Sequence, residues 1–245
     1  MLSENKKLNE MKRIAALPEF ERPINVRLKF RKVGRLQYIS HLDLQRTFMR
    51  VITRACIPAW YTKGFNPHAK LVFSTPLSVG SESECEFLDI RIDRFMPLET
   101  IRERLNAELT EELYISEAYM PTSDFSEIAW SDYDIRICTA DADENTADSI
   151  KAALSNSPLT VIKKTKSGEK EIDIVPLIKS AEVGIEDGVI FIKTTLNASV
   201  DEFLKPELVI TGLKQKCGIL CGDPSKEWYT IMRTALRKAD FTLFK

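Results

Sequence analysis

The sequence predicts an α+β fold of two tandem ferredoxin-like (β-α-β-β-α-β) domains with antiparallel sheets. At 245 residues the chain is long enough for two domains of ordinary size. The apolar pattern of its first half runs strand, helix, two strands, helix, strand, which is the order of this motif. The second half begins a similar order, without a detectable sequence repeat. We therefore predict a polar lead-in at 1–22, a first domain at 23–122 and a second, degraded domain at 132–245.

The first predicted elements follow from local patterns. Residues 24–30 alternate between apolar and polar side chains, which predicts a half-buried strand with a basic exposed face. Gly34 marks a bend, and extended structure resumes over 36–39. Ser40, followed three residues later by Asp43, predicts the start of a helix. The apolar stripe of this helix consists of Leu44, Phe48, Val51, Ile52 and Ala55.

The rest of the first half is predicted in the same way from alternation and helical spacing. The remaining elements are strands at 60–62, 71–73, 86–91 and 115–120 and a helix at 98–109. Residues 63–68 read as a turn-rich loop because glycine, asparagine and proline cluster there. A linker is expected at 125–131.

The second half repeats the alternation of strands and helices less regularly. Its predicted elements are strands at 133–138, 159–165, 170–175 and 189–195, a strand ending near Ile185, and helices at 145–154 and 206–216. Asp187-Gly188 predicts a hairpin turn between two of these strands. Periodicity leaves the tail at 228–245 open between helix and strand.

Charge is divided unevenly along this nearly neutral chain, which has 35 Lys+Arg and 36 Asp+Glu. Between Pro23 and Gly80 there are ten basic residues and one acidic residue, whereas 81–150 contains 19 acidic and 5 basic residues. A concentrated positive surface raises the local concentration of anionic partners. This division therefore predicts an anionic partner for the first domain.

The basic residues fall into a helical stripe and a strand face. Arg46, Arg50 and Arg54 are spaced four apart, so they share one helix face. A phosphate backbone would take bidentate contacts from such arginines. Alternatively, these arginines are a solvated face paired with the acidic segment. The other candidate anion-binding residues are Arg27, Lys29, Arg31, Lys63 and Lys70, and the candidate base-stacking aromatics are Tyr38, Trp60, Tyr61 and Phe65.

His41, Asp43 and His68 form a second candidate group. Their spacing is not specific to any metal, and we predict no metal site. Either histidine could act as a general acid or base, because the ordinary imidazole pKa lies near neutrality. A structural interpretation is equally open: His41 would cap the helix, and His68 would hydrogen-bond the loop backbone.

Three motifs resemble a radical-SAM-linked domain family of unknown function. They are Tyr38-Ile-Ser-His-Leu-Asp-Leu-Gln-Arg, Tyr61-Thr-Lys-Gly-Phe-Asn-Pro-His-Ala-Lys and Pro76-Leu-Ser-Val-Gly-Ser-Glu-Ser-Glu-Cys-Glu-Phe-Leu-Asp. The resemblance is strong over 23–120 and weaker beyond. It marks His41, Asp43, Arg46, Gly64, Phe65, Asn66, Pro67 and His68, within a motif loop that begins at Tyr61 and Thr62, and assigns them no roles.

This resemblance implies a stand-alone companion of a radical-SAM protein. The chain has no radical-SAM cluster motif of three closely spaced cysteines, so we expect no cofactor in this chain. The radical-SAM cluster chemistry is then expected in the partner protein. Five scattered cysteines, no apolar run of membrane-spanning length and a charged N-terminus predict a cytoplasmic protein without a membrane partner.

Three functional hypotheses remain open from the sequence. The preferred one is an accessory module without catalytic activity of its own, which presents a basic face to RNA or another anionic substrate of a radical-SAM enzyme. The second is an RNA-processing endoribonuclease that uses His41 or His68 as general acid or base. The third is a protein-interaction subunit that does not bind RNA.

Overall fold

The computed structural model describes residues 4–140, 142–155, 158–165 and 168–245. The protein is mixed α+β, with helices and antiparallel sheets, as the sequence predicts. Its chain separates into two compact units, one that ends at Asp124 and also includes Lys245, and one over Phe125–Phe244. No helix among the described residues has the length and apolar character needed to cross a membrane.

The first unit pairs four strands and carries three helices. Its elements are α1 (Glu4–Ala15), β1 (Glu19–Lys32), α2 (His41–Arg54), β2 (Leu71–Phe73), β3 (Ser81–Arg94), α3 (Leu98–Asn106) and β4 (Leu113–Tyr119). The strand order is β4-β1-β3, and β2 also pairs with β3. Leu28 in β1 lies opposite Leu88 in β3 and Ala118 in β4. This register places the alternate apolar residues of all three strands on one face.

Helix α2 covers that apolar face with the stripe that the sequence predicts. Phe48 is fully buried, and its ring meets those of Phe30 and Phe73 edge-on, with centroids 5.0 and 5.9 Å apart. Ile101 and Leu105 extend the same core from α3. Burial of aromatic and aliphatic side chains is the main favourable term in folding such a unit.

Two predictions for the start of the first unit, up to Ile39, are wrong. Residues 34–38 form a 3-10 helix rather than extended structure over 36–39. The first strand begins at Glu19, inside the segment predicted as a lead-in, whose residues 1–3 lie outside the described part. Glu19 opposes Arg94 of β3, and the register shifts before Ile24. Such an irregularity accommodates Pro23, which has no backbone N–H to donate to the sheet.

The second unit contains a four-stranded sheet, two helices and a separate hairpin. Its elements are β5 (Ile128–Cys138), α4 (Glu144–Ser155), β6 (Thr160–Thr165), β7 (Gly168–Asp173), β8 (Ile178–Glu186), β9 (Val189–Asn197), α5 (Pro206–Cys217) and β10 (Trp228–Lys238). The sheet order is β10-β5-β9-β8, and β6 pairs only with β7. Positive φ angles at Asp187 and Gly188 confirm the predicted turn between β8 and β9. The linker predicted at 125–131 is wrong from Ile128, where β5 begins.

Candidate functional site

The start of α2 is fixed by its cap. The Ser40 hydroxyl accepts a hydrogen bond from the backbone N–H of Asp43 at 3.1 Å and donates one to the Asp43 carboxylate at 2.7 Å. The latter bond, and then the contact with Arg46, hold the pKa of the Asp43 carboxyl below its usual range. The apolar stripe of α2 faces the core, so the arginines on the other face of the helix point to solvent.

Substitution of Ser40 by alanine is expected to lower the free energy of unfolding by about 1 kcal/mol, because the N–H of Asp43 loses its acceptor. Urea unfolding of the full chain measures this loss. Ser40→Thr is the matched control, since threonine keeps a hydroxyl that can accept from the N–H of Asp43 and donate to its carboxylate, and it should retain most of the stability. Equal stability of the alanine variant and the wild type would contradict the prediction.

The three basic residues of the strand face predicted to be exposed all have hydrogen-bond partners in the first unit. Arg27 is only 1% exposed and forms a bidentate pair with Asp89, at 2.7 and 2.9 Å. Lys29 pairs with Glu117 at 3.2 Å. Arg31 is exposed, and it donates to the backbone oxygen of Glu111. The prediction of an exposed basic residue is therefore wrong at Arg27.

The helix stripe is exposed, but only part of it is free of acidic partners. Arg54 pairs with Glu108 at 2.9 Å, so the alternative that the helix arginines pair with the acidic segment holds there. A hydrogen bond from Lys7, with the one from Arg54, holds the pKa of Glu108 below its usual range. Arg46 pairs with Asp43, one turn away at 3.2 Å, and with no other acidic residue of the part that the structure describes. Within the described ranges no ion-pair partner exists for the exposed cations Arg50, Lys63 and Lys70.

The loop between Tyr61 and Ala69 is closed by its own hydrogen bonds. Tyr61 and Ala69 form an isolated bridge, and the N–H of Thr62 donates to the backbone oxygen of His68 at 2.9 Å. Gly64 has a φ of +145°, a conformation that side-chain-bearing residues rarely adopt. At the tip of the loop Phe65 is fully exposed. This loop replaces the continuous strand predicted at 60–62.

Helix α2 and the loop lie side by side. The hydroxyls of Thr53 and Tyr61 are 3.5 Å apart, and Thr53 follows Arg46 and Arg50 on the same face of the helix. We call a set of exposed cations and aromatic residues on α2, on the loop and directly after it the α2–loop surface. The set consists of Arg46, Arg50, Tyr61, Lys63, Phe65 and Lys70.

The two histidines have separate surroundings. The His41 ring packs edge-on against Phe73 at 4.9 Å, and Ser40 rather than His41 caps α2. The Nδ1 of His68 lies 3.0 Å from the backbone oxygen of Asn66. A carbonyl oxygen only accepts, so Nδ1 donates to it. The hydrogen bond from His68 to the loop backbone that the structural interpretation expects is therefore present.

No described contact joins His41, His68 and Asp43 into one constellation. The Asp43 carboxylate is bound by Ser40 and Arg46. Over the described residues, no group of three or more His, Cys, Asp or Glu side chains could hold a metal ion. Tyr38, another candidate for base stacking, is exposed, whereas Trp60 lies beneath the guanidinium of Arg91 at 5.8 Å.

Sequence reasoning missed the pairing of Arg27 with Asp89. One signal for it was available. Asp89 lies on the polar side of the alternating segment 86–91, and Arg27 lies on the polar side of the alternating segment 24–30. Two such strands bring opposite charges together when they pair in this register. The sequence does not contain that register.

A family model described as "Uncharacterized protein conserved in bacteria (DUF2344)" matches residues 25–206, a range that contains the whole α2–loop surface. No curated protein matches the chain. A chain of the "Crystal Structure of a Cbf5-Nop10-Gar1 Complex" is similar, with a TM-score of 0.46 and 11% identity over 89% of this chain, which spans 50% of that one. An unknown protein from Galdieria sulphuraria has a TM-score of 0.27 and 11% identity, over 86% of this chain and 99% of its own.

Proposed function

Starting from the membership of this chain in the DUF2344 family, we propose that it is a non-catalytic accessory module that presents the α2–loop surface to RNA. The observation that carries the proposal is a group of exposed cations that have no acidic partner among the described residues, beside a fully exposed phenylalanine. Arg50, Lys63 and Lys70 supply the unpaired charge, and Phe65 supplies the aromatic surface.

RNA suits this surface in both charge and shape. Arginines spaced four apart on a helix repel each other, and a chain of phosphates relieves that repulsion. Unpaired bases of single-stranded RNA stack on exposed aromatic rings, as Phe65 and Tyr61 would allow. Gly64, next to Phe65, has a positive φ that glycine tolerates best, so it suits the turn in which Phe65 is exposed.

A binding role accounts for the histidines better than an endoribonuclease role. General acid–base cleavage requires groups within hydrogen-bond reach of the same substrate atoms. His41 packs on Phe73, while His68 is engaged with its own loop, and neither is bound to Asp43. We therefore assign His68 to the shape of the loop and expect no cleavage by the isolated protein.

We further propose that the module works with a radical-SAM protein, as the resemblance of its motifs implies. The partner would carry the cluster chemistry, and this chain would hold the anionic substrate. We also propose that both units are ferredoxin-like. The strand orders β4-β1-β3 with β2 on β3, and β10-β5-β9-β8, support that assignment, with the β6–β7 hairpin as an insertion in the second unit.

Replacement of Arg46 and Arg50 by glutamate is expected to weaken RNA binding at least tenfold at low salt, because two charge-assisted phosphate contacts are lost. Fluorescence anisotropy with a labelled single-stranded RNA across a salt series measures the affinity. Two lost contacts should also make the slope of log K against log salt shallower by about 1.4.

The matched control carries the same change of charge elsewhere, as Lys151→Glu with Lys226→Glu, both exposed in the second unit. It should bind nearly as the wild type does. Equal loss in both variants would mean that only net charge matters, and would refute a site on α2. Metal-independent cleavage of the RNA that disappears in His68→Ala at unchanged affinity would replace the proposal with the endoribonuclease hypothesis.

A further inference from the structure

A positively charged cleft, separate from the α2–loop surface, lies on the sheet face of the first unit that points away from α2 and α3. Asn25 of β1 alternates with the core residue Val26, and it pairs in register with Arg91 of β3. Both side chains therefore point to that opposite face. The cleft has a volume of about 420 Å³ and is lined by Arg22, Pro23, Asn25, Arg91, Met120 and Pro121.

The guanidinium groups of this cleft lack acidic partners. Arg91 donates from Nε to the Asn25 amide oxygen at 3.2 Å and lies over the Trp60 ring. Its two terminal nitrogens have no described acceptor, and Arg22 is exposed without an ion pair in the described part of the chain. No carboxylate is among the lining residues. Two cations in a concave site without an acid attract an anion.

We propose that this cleft binds a phosphate group. Asn25 and the Trp60 ring orient the Arg91 guanidinium, so its terminal N–H groups can meet two phosphate oxygens at once. Arg22 supplies the second charge. Pro23, Met120 and Pro121 form apolar walls that suit a sugar or a base attached to the phosphate.

This inference rests on the proposed function and extends it. The phosphate belongs to the same RNA chain that the α2–loop surface holds. The connection is the edge of the sheet next to β3, where Ala59 bridges Ile92. Trp60 reaches Arg91 on the cleft side of that edge, while the next residue, Tyr61, reaches Thr53 on the helix side. A single-stranded RNA that crosses this edge at Trp60 and Tyr61 contacts both the cleft and the α2–loop surface.

The test compares short and long RNA. Arg22→Ala with Arg91→Gln should weaken a 16-nucleotide RNA about tenfold and a 4-nucleotide RNA little, lengths that span the usual range for single-strand sites. The Arg46/Arg50 variant should weaken both. Arg22→Ala alone leaves Trp60 undisturbed and should show part of the loss. The result that would overturn this inference is weaker binding of the 16-nucleotide RNA by the Arg46/Arg50 variant but wild-type affinity in the Arg22/Arg91 variant. In that case the RNA does not reach the cleft, and the proposed function stands.

Inorganic phosphate tests the cleft without RNA. Titration followed by NMR of the arginine Nε–H signals should shift the Arg91 signal saturably, and Arg22→Ala should weaken that shift severalfold. A saturable shift of the Arg91 signal, with no RNA binding by the wild type or any variant, would support a site for a free phosphate compound. It would refute RNA as the source of the phosphate. The absence of a saturable Arg91 shift, with RNA affinity unchanged in the Arg22/Arg91 variant, would overturn the inference altogether.

Discussion

Substitution of Asp89 by alanine is expected to lower the free energy of unfolding of the first unit by about 3–5 kcal/mol. The Arg27 side chain is 2% exposed and Asp89 is 14% exposed, so the alanine would leave a buried guanidinium without its carboxylate. Two described contacts of Arg27 would remain, with the Ser123 hydroxyl at 3.0 Å and the main-chain oxygen of Lys245 at 3.3 Å, and neither replaces the bidentate pair with Asp89. Urea unfolding followed by circular dichroism, with hydrogen exchange of peptides from β1 and β3, measures the loss and its location.

The control for Asp89 removes both charges at once. Arg27→Met combined with Asp89→Leu replaces the ion pair with apolar side chains of similar volume, a change that is often neutral or stabilising. The double variant should therefore be more stable than Asp89→Ala. If it is equally unstable, the loss comes from packing at this position and not from an unpaired charge.

Substitution of Phe48 by alanine should cost about 3–5 kcal/mol, by loss of buried apolar surface and creation of a cavity. The side chain is fully buried, and its ring contacts those of Phe30 and Phe73. Because Phe73 also supports His41, the same change should loosen the start of α2. Thermal unfolding and hydrogen exchange over α2 measure both effects.

Leu42→Ala is the matched control for Phe48, since it truncates an exposed apolar residue of the same helix. Surface changes of this kind usually stay within about 0.5 kcal/mol of the wild type. A loss for Phe48→Ala no larger than the one for Leu42→Ala would show that the aromatic cluster does not stabilise the unit.

Local patterns predicted α2 well because the information for this helix lies within about fifteen residues. Ser40 and Asp43 define its cap, and the spacing of Leu44, Phe48 and Val51 defines its buried stripe. The hairpin at Asp187-Gly188 is similar, because two residues that tolerate positive φ specify the turn. Elements of this kind are encoded by neighbours in sequence.

Pairing between distant strands decided the structure elsewhere. The tail, where periodicity indicated neither helix nor strand, is β10 because Trp228 to Lys238 hydrogen-bond to β5. At 36–39 the alternation resembled a strand, but the chain forms a 3-10 turn, and the backbone oxygen of Gln37 accepts a hydrogen bond from the distant N–H of Gly80 at 2.9 Å. Neither result follows from local propensity, since tertiary partners override it.

The candidate site divides along the same line. By itself, the sequence determined that a basic helix stripe and a glycine-containing loop lie in the first half of the chain, because charge and helical spacing are local properties. Only the tertiary structure decided which cations are available to a partner. Asp89 lies 62 residues from Arg27 and Glu108 lies 54 residues from Arg54, so strand register and helix packing determine these pairs. Arg46 and Arg50 are left exposed because, over the described ranges, the packing of α2 on the core brings no carboxylate of a distant segment to them.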